Sequence, residues 1–173
     1  MKKLLNYILF AILLSGNGLL FTTCKVSYSL RGTNIAPEIM TYSVQFFQNR
    51  APVVQAQLSQ VFTDELRDRI EGQTRLELVN GFGDVDFSGE ITNYETRPTA
   101  ITGDEVAALN RLTISVRVKY DNSINPDESF ESSFSRYEDY PSSQSLADVE
   151  EDLIESIVDQ LIEDIFNKAF VNW

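Results

Sequence analysis

Four cations are spaced so that they could grip an anion together. Arg117 and Lys119 stand two residues apart in a run that alternates strictly, Leu112-Thr113-Ile114-Ser115-Val116-Arg117-Val118-Lys119-Tyr120. In an extended strand, residues i and i+2 share a face and lie roughly 7 Å apart. Arg97 and Arg111 fall near the ends of the same expected hairpin. Such a group could pair with phosphate oxygens, and arginine can do so bidentately. The plainer alternative is an ordinary wet sheet face on which Glu90 or Glu95 neutralises the cations.

A second reactive residue is Cys24, the only cysteine in the chain. Met1-Lys2-Lys3 precedes a short apolar run, Leu4 to Leu14, which fits a secretory signal over residues 1–23. Ser15, Gly16 and Asn17 interrupt that run, so it is too short for an ordinary membrane span. Leu19-Leu20-Phe21-Thr22-Thr23-Cys24 resembles a bacterial lipobox, with Thr23 where Gly or Ala is usual and Phe21 where Leu is usual. Cys24 is therefore expected to be acylated, attaching the mature chain to a membrane through lipid. Each buried acyl methylene contributes roughly 0.8 kcal/mol. The alternative is a chance thiol beside an ordinary cleavage site.

Much other chemistry is excluded. The chain has no histidine, which removes His-based triads and His-ligated metals. It has no phosphate-binding glycine loop and no nucleophile elbow, and no calcium loop with its turn glycine. No cofactor is expected. Carboxylates are plentiful, so a glycosidase-like pair stays open, although most fall on helix faces or in turns. Removing residues 1–23 takes away two lysines and moves the net charge from −12 to −14. Such a chain is a poor general partner for nucleic acid. By length, residues 24–173 are expected to form one domain.

The elements that must position these residues follow from periodicity. Thr41 to Phe47 reads as a strand with Tyr42, Val44 and Phe46 on one face. A helix is expected over Val54 to Glu71, with a stripe of Leu58, Val61, Phe62, Leu66 and Ile70, ending at Gly72. Arg75 to Asn80 reads as a short strand with Leu76 and Leu78 together. Val85 to Thr92 alternates, a bulge is expected near Asn93 and Tyr94, and Arg97-Pro98 closes the strand. Thr99 to Ala108 is a long loop before the Leu112–Tyr120 strand. Phe130 to Tyr137 is a polar edge strand with Phe130 and Phe134 sharing a face. A second helix begins near Ser145, where Ser145 and Asp148 resemble a capping pair. Its stripe runs through Leu146, Val149, Leu153, Ile157, Leu161 and Ile165, widened by Ile154, Val158, Ile162 and Phe166. The expected fold is α+β, with two helices on one face of a mostly antiparallel sheet of four to five strands.

This order of elements behind a lipoprotein signal resembles the LptE family of lipopolysaccharide-assembly lipoproteins, in its Bacteroidetes-type branch. The resemblance is carried by residues 44–52 (Val-Gln-Phe-Phe-Gln-Asn-Arg-Ala-Pro) and 58–64 (Leu-Ser-Gln-Val-Phe-Thr-Asp). It continues in residues 89–94 (Gly-Glu-Ile-Thr-Asn-Tyr) and 107–114 (Ala-Ala-Leu-Asn-Arg-Leu-Thr-Ile), so it extends over most of the mature chain. It implies a non-catalytic, lipid-anchored protein of the outer membrane that faces the periplasm. It also implies a partner, the LptD barrel, whose lumen the protein plugs, and contact with lipopolysaccharide. Arg97, Arg111, Arg117 and Lys119 are then the candidate lipopolysaccharide ligands. The alternative function is a lipid-anchored periplasmic module for a small ligand or peptide, independent of a barrel, which would need a compact apolar pocket. An anchored glycan hydrolase would instead need two carboxylates facing each other in a cleft.

Overall fold

The computed structural model describes residues 34–99 and 108–171. All of these fall in one compact unit, Arg31–Trp173. Cys24, the signal segment, and residues 100–107 of the expected loop lie outside the described residues.

The elements run β1 (Thr41–Val44), β2 (Gln48–Asn49), α1 (Leu58–Gln73), β3 (Glu77–Leu78), β4 (Val85–Thr99), β5 (Leu109–Asn122), β6 (Phe130–Pro141) and α2 (Leu146–Phe170). The sheet order is β3-β1-β4-β5-β6, with β2 also on β4. Among the described residues the architecture is α+β with two helices, and the sheet has six strands rather than four or five. The long pairings β4–β5 and β5–β6 are antiparallel. The short strands β1, β2 and β3 add parallel pairings at one side, so the sheet is mixed.

β5 is the middle of the long antiparallel part. Leu112, Ile114, Val116, Val118 and Tyr120 are all buried, as strict alternation demands. They meet a single core shared with Leu58, Phe62, Leu66 and Ile70 of α1 and with Ile157, Leu161 and Ile165 of α2. The buried face of α2 is Ile154, Ile157, Val158, Leu161, Ile162, Ile165, Phe166 and Phe170. Leu146, Val149 and Leu153 pack only partly against the core. The stripe therefore loses its grip over the first two turns. Ser145 donates to Asp148 Oδ2 at 2.7 Å and makes no side-chain bond to a helix amide.

Two one-residue bulges set which side chains point inward. In β4, Ile91 faces Val116 and Asn93 faces Ser115, so Thr92 is the extra residue. The phase then flips, and Tyr94 is buried. This is the bulge expected from the break in alternation. The second was not expected. Val44 faces Phe87 while Gln48 faces Glu90, which is four steps on one side against three on the other. Phe46 is consequently exposed and Phe47 is buried, the reverse of the simple strand reading. The Phe47 ring packs at 4.9 Å from Phe62, and its amide donates to Thr63 Oγ1 at 3.1 Å.

Other boundaries moved for local reasons. α1 begins at Leu58, where Gln55 Oε1 accepts from the amides of Gln57 and Leu58. It runs past Gly72 and ends at Thr74, whose amide and hydroxyl both donate to Ile70 O. Leu78 is exposed, because β3 pairs through only two residues and leaves the core after Leu76. β6 is an edge strand as expected, although it extends to Pro141. Its inner face is partly polar and is closed by α2. Arg136 forms a fork with Asp164 at 2.6 Å, and Lys168 donates to Ser132 Oγ at 2.8 Å. Asp159 of α2 pairs with Arg69 of α1, so part of the acidic surface of α2 is engaged in holding layers together.

Gly89 lies under the second bulge with φ +157°. A Cβ there would fall 2.1 Å from Arg117 O and 2.7 Å from Phe47 Cε1. Gly89→Ala should lower stability by about 1–3 kcal/mol through overpacking, read as a lower urea midpoint with unchanged slope. An unaltered midpoint would mean that Phe47 does not seat against this glycine.

Candidate functional site

The face of the sheet opposite the helices is where the sequence placed Arg117 and Lys119. Register puts Arg97 and Arg111 on that face as well. Arg97 lies opposite Arg111, Arg117 opposite Glu90, and Lys119 opposite Ser88. On the other side of β5, Arg111 lies opposite Asp139, Arg117 opposite Ser133, and Lys119 opposite Glu131.

The four do not converge. Arg97 and Arg111 form one pair, and Arg117 and Lys119 another. Six steps along β5 separate Arg111 from Arg117, roughly 20 Å at the usual strand rise. The stretch between them is uncharged on this face, with Thr113 and Ser115, and Ser115 Oγ lies 2.9 Å from Ser135 Oγ.

Each cation also has a carboxylate. Arg97 Nε meets Glu95 Oε1 at 2.7 Å. Arg111 holds Asp139 through two bonds of 2.7 and 2.8 Å, and its guanidinium lies 3.6 Å from the centre of the Tyr137 ring. Arg117 Nη1 meets Glu90 Oε1 at 3.1 Å. Lys119 Nζ meets Asp121 Oδ2 at 2.5 Å. The hydrogen bond to Asp139 raises the pKa of Arg111, and the same bond lowers that of Asp139. The bond to Asp121 likewise raises Lys119. The pairing of Arg117 with Glu90 and of Arg97 with Glu95 is the plainer arrangement stated from the sequence.

These pairs are exposed, and exposed ion pairs are weakly held. An incoming phosphate could displace Glu95 from Arg97, whose side chain is 74% exposed. At the other end, Arg117 and Lys119 border a shallow open cleft of about 320 Å³, together with Ser88, Gly89, Glu90 and Glu131. The two glutamates make that cleft amphoteric rather than basic. Arg111 is the least available, because its fork and its ring stack are already filled.

One feature was missed from the sequence. A cleft of about 510 Å³ opens between the starts of α1 and α2, with Leu58, Val61 and Ile154 in its floor and Glu65, Glu150, Glu151 and Glu155 around it. Spacing along α2 placed Glu150, Glu151 and Glu155 on a solvated face, and only the approach of α1, which brings Glu65, turns that face into a wall. Glu150 accepts a hydrogen bond from the Tyr94 hydroxyl. Burial, chiefly, together with this bond, pushes the Tyr94 phenol well above its ordinary range. Among the described residues, no group of three or more His, Cys, Asp or Glu side chains could hold a metal ion. Among them, too, no helix is long and apolar enough to cross a membrane.

The comparisons with known proteins bear on this geometry. The family model for LptE, described as lipopolysaccharide-assembly, matches residues 39–169. No curated protein sequence matches the chain. Among solved structures, a minor lipoprotein from Acinetobacter baumannii is similar at TM-score 0.50 and 12% identity, covering 75% of this chain and 91% of that one. The hypothetical protein CT253 from Chlamydia trachomatis is similar at TM-score 0.51 and 10% identity, covering 76% and 98%. At these identities the likeness is one of fold.

The Arg111–Asp139 fork gives a pH test. Its folded-state carboxyl lies below the ordinary value of 3.8. The stability it contributes is therefore fully present above that value and is lost as pH falls through the lower, folded one. In Arg111→Gln, the Asp139 carboxyl should titrate upward toward 3.8, followed by its NMR carboxyl shift. A titration identical in the two proteins would show that the fork does not form in solution.

Proposed function

The chain belongs to the LptE family of lipopolysaccharide-assembly proteins, and from that premise we propose that it is a non-catalytic plug and chaperone for an LptD-like outer-membrane barrel. The observation that carries this reading is the family match, which spans every strand and both helices from β1 to within one residue of the end of α2. In this reading residues 1–23 are removed on export. Acylated Cys24 then holds residues 24–173 on the outer membrane, facing the periplasm.

The sheet face that no described helix covers supports the same reading. It is wide, polar and carries both signs of charge, with Glu90, Glu95, Asp121, Glu131 and Asp139 set among Arg97, Arg111, Arg117 and Lys119. Such a face fits the wet wall of a barrel lumen, where hydrogen bonds and bridging waters hold two polar surfaces together. The small-ligand alternative called for a compact apolar pocket. The cleft between the helix starts is instead open and ringed by glutamates. Lipopolysaccharide phosphates would be met at the two separate cation pairs, with Glu95 and Glu90 giving way, rather than in a single basic pocket.

Purification of the tagged, full-length chain from its own outer membranes in mild detergent tests both parts. A large barrel protein should accompany it in near-equal amount. The double variant Arg117→Glu, Lys119→Glu should retain the barrel and its circular dichroism while carrying less lipopolysaccharide. Recovery of the lipoprotein alone at every detergent strength would contradict the plug, and equal lipopolysaccharide on both proteins would contradict the assignment of Arg117 and Lys119.

A further inference from the structure

One end of the sheet carries exposed apolar side chains that neither the core nor the sheet face uses. Phe82 is 85% exposed, Met40 65% and Ile124 46%. Single exposed apolar residues are ordinary on protein surfaces. These three are different because one residue, Asp84, ties together the segments that carry them. Asp84 Oδ2 accepts from the amides of Met40 and Thr41, each at 2.9 Å. The carbonyl of Asp84 accepts from the amide and the hydroxyl of Ser123 at 2.9 and 2.8 Å. Met40, Phe82 and Ile124 thus all stand within two residues, along the chain, of Asp84 or a residue bonded to it. The hydrogen bonds to the Asp84 carboxyl hold it below its ordinary value, the bond from the Met40 amide most of all.

The turn that displays Phe82 is tied to β1. Gly81 has φ +104°, a conformation that L side chains rarely adopt. A Cβ at Gly83 would fall 2.8 Å from the backbone of Tyr42. The amide of Gly83 donates to Ser43 Oγ at 3.0 Å, and the amide of Asp84 donates to Thr41 Oγ1 at 2.9 Å. A nearly bare phenylalanine is therefore held outward on a fixed support. A mobile turn could fold such a ring back onto the surface.

The described chain also begins at this end. The Asn34 amide donates to Phe170 O at 2.7 Å. The Phe170 ring packs against Phe87 and Tyr120, which lie two residues inside the Val85–Asn122 pair that closes the sheet here. Ten residues separate Asn34 from Cys24. Fully extended, they span at most about 33–36 Å.

We infer that this end of the molecule lies against the bilayer, with Phe82, Met40 and Ile124 entering the boundary between headgroups and acyl chains. The inference rests on the reading of Cys24 as an acyl anchor, which brings the Asn34 end nearest the membrane. Interfacial binding of this kind scales with buried apolar area, and an acyl chain plus a second contact holds better than either alone. The charges select the type of surface. Asp84, Asp127 and Glu128 stand at this end, beyond Asp121, which Lys119 neutralises, so an anionic surface would repel it, and the fit is to neutral or zwitterionic headgroups. Acidic residues here also make a purely electrostatic attachment unworkable, so the apolar side chains must supply the contact.

The test uses the acylated, full-length chain carrying Phe82→Cys, in which the label site is the only free thiol once Cys24 is acylated. The nitroxide-labelled protein is reconstituted into phosphatidylcholine vesicles, and its collision rates with oxygen and with a water-soluble nickel complex are compared. Val54→Cys, at an exposed site before α1, is the reference. The label at position 82 should show a several-fold loss of nickel contact relative to position 54, with a matching gain of oxygen contact. A chain that floats with the vesicles but shows equal nickel contact at both positions would overturn this inference and leave the anchor intact. A chain that does not float would overturn the anchor and the inference with it. Shielding at position 82 only when a barrel protein is added would assign this end to a protein interface instead and overturn the membrane contact.

Discussion

The constraint on which the rest of the structure depends is the one-sided burial of β5. Five apolar side chains point one way and Thr113, Ser115, Arg117 and Lys119 point the other. Strand geometry permits no compromise between them, because a one-residue slip would exchange the two sets. The apolar side requires a covering layer, and α1 and α2 supply it. The polar side has β4 and β6 as neighbours and, among the described residues, no helix above it. A broad charged surface is thus the direct consequence of how the core closes, and any docking function of that surface rests on the same alternation.

The two bulges show how a small change of register governs what is available outside. At Thr92 the extra residue keeps Tyr94 in the core and sets Glu95 and Arg97 on the polar side, beside Arg111. Between Val44 and Gln48 the extra residue brings Phe47 inward over Gly89 and leaves Phe46 out. Gly89 then does two jobs, since it admits the Phe47 ring on one side and the carbonyl of Arg117 on the other. The backbone of the strand bearing Arg117 is fixed by a core contact, even though its side chain is exposed.

Much of this could be read before the structure was known, and the failures have physical causes. The faces of β4 and β5 were legible because alternation over many residues has only one good reading. The first bulge was legible because Asn93-Tyr94 breaks a long alternation. The second was not, because β1 and β2 are too short to show a broken period, and parallel pairing with β4 decides it. Gly72 looked like a helix stop, yet α1 runs on until Thr74 ties back to Ile70. Arg117 and Lys119 were placed on the correct face, but the division of the four cations into two neutralised pairs depends on Glu90 and Asp139 arriving from neighbouring strands and on Glu95 and Asp121 standing two residues along the strand from their partners. The acidic cleft and the Phe82 turn arise from segments distant in sequence, and no local pattern announces them.

The account stands on the polar sheet face being the surface that meets a barrel. Ser115 lies at the centre of that face, between the two cation pairs. A photo-crosslinking residue placed there in the full-length protein, activated in intact cells, measures the claim directly. The account predicts a single high-mass adduct with an outer-membrane barrel protein. Membrane-bound protein that forms no barrel adduct from this position, while one placed at Glu151 beside the helix cleft does, would show that the partner sits on the other side of the molecule.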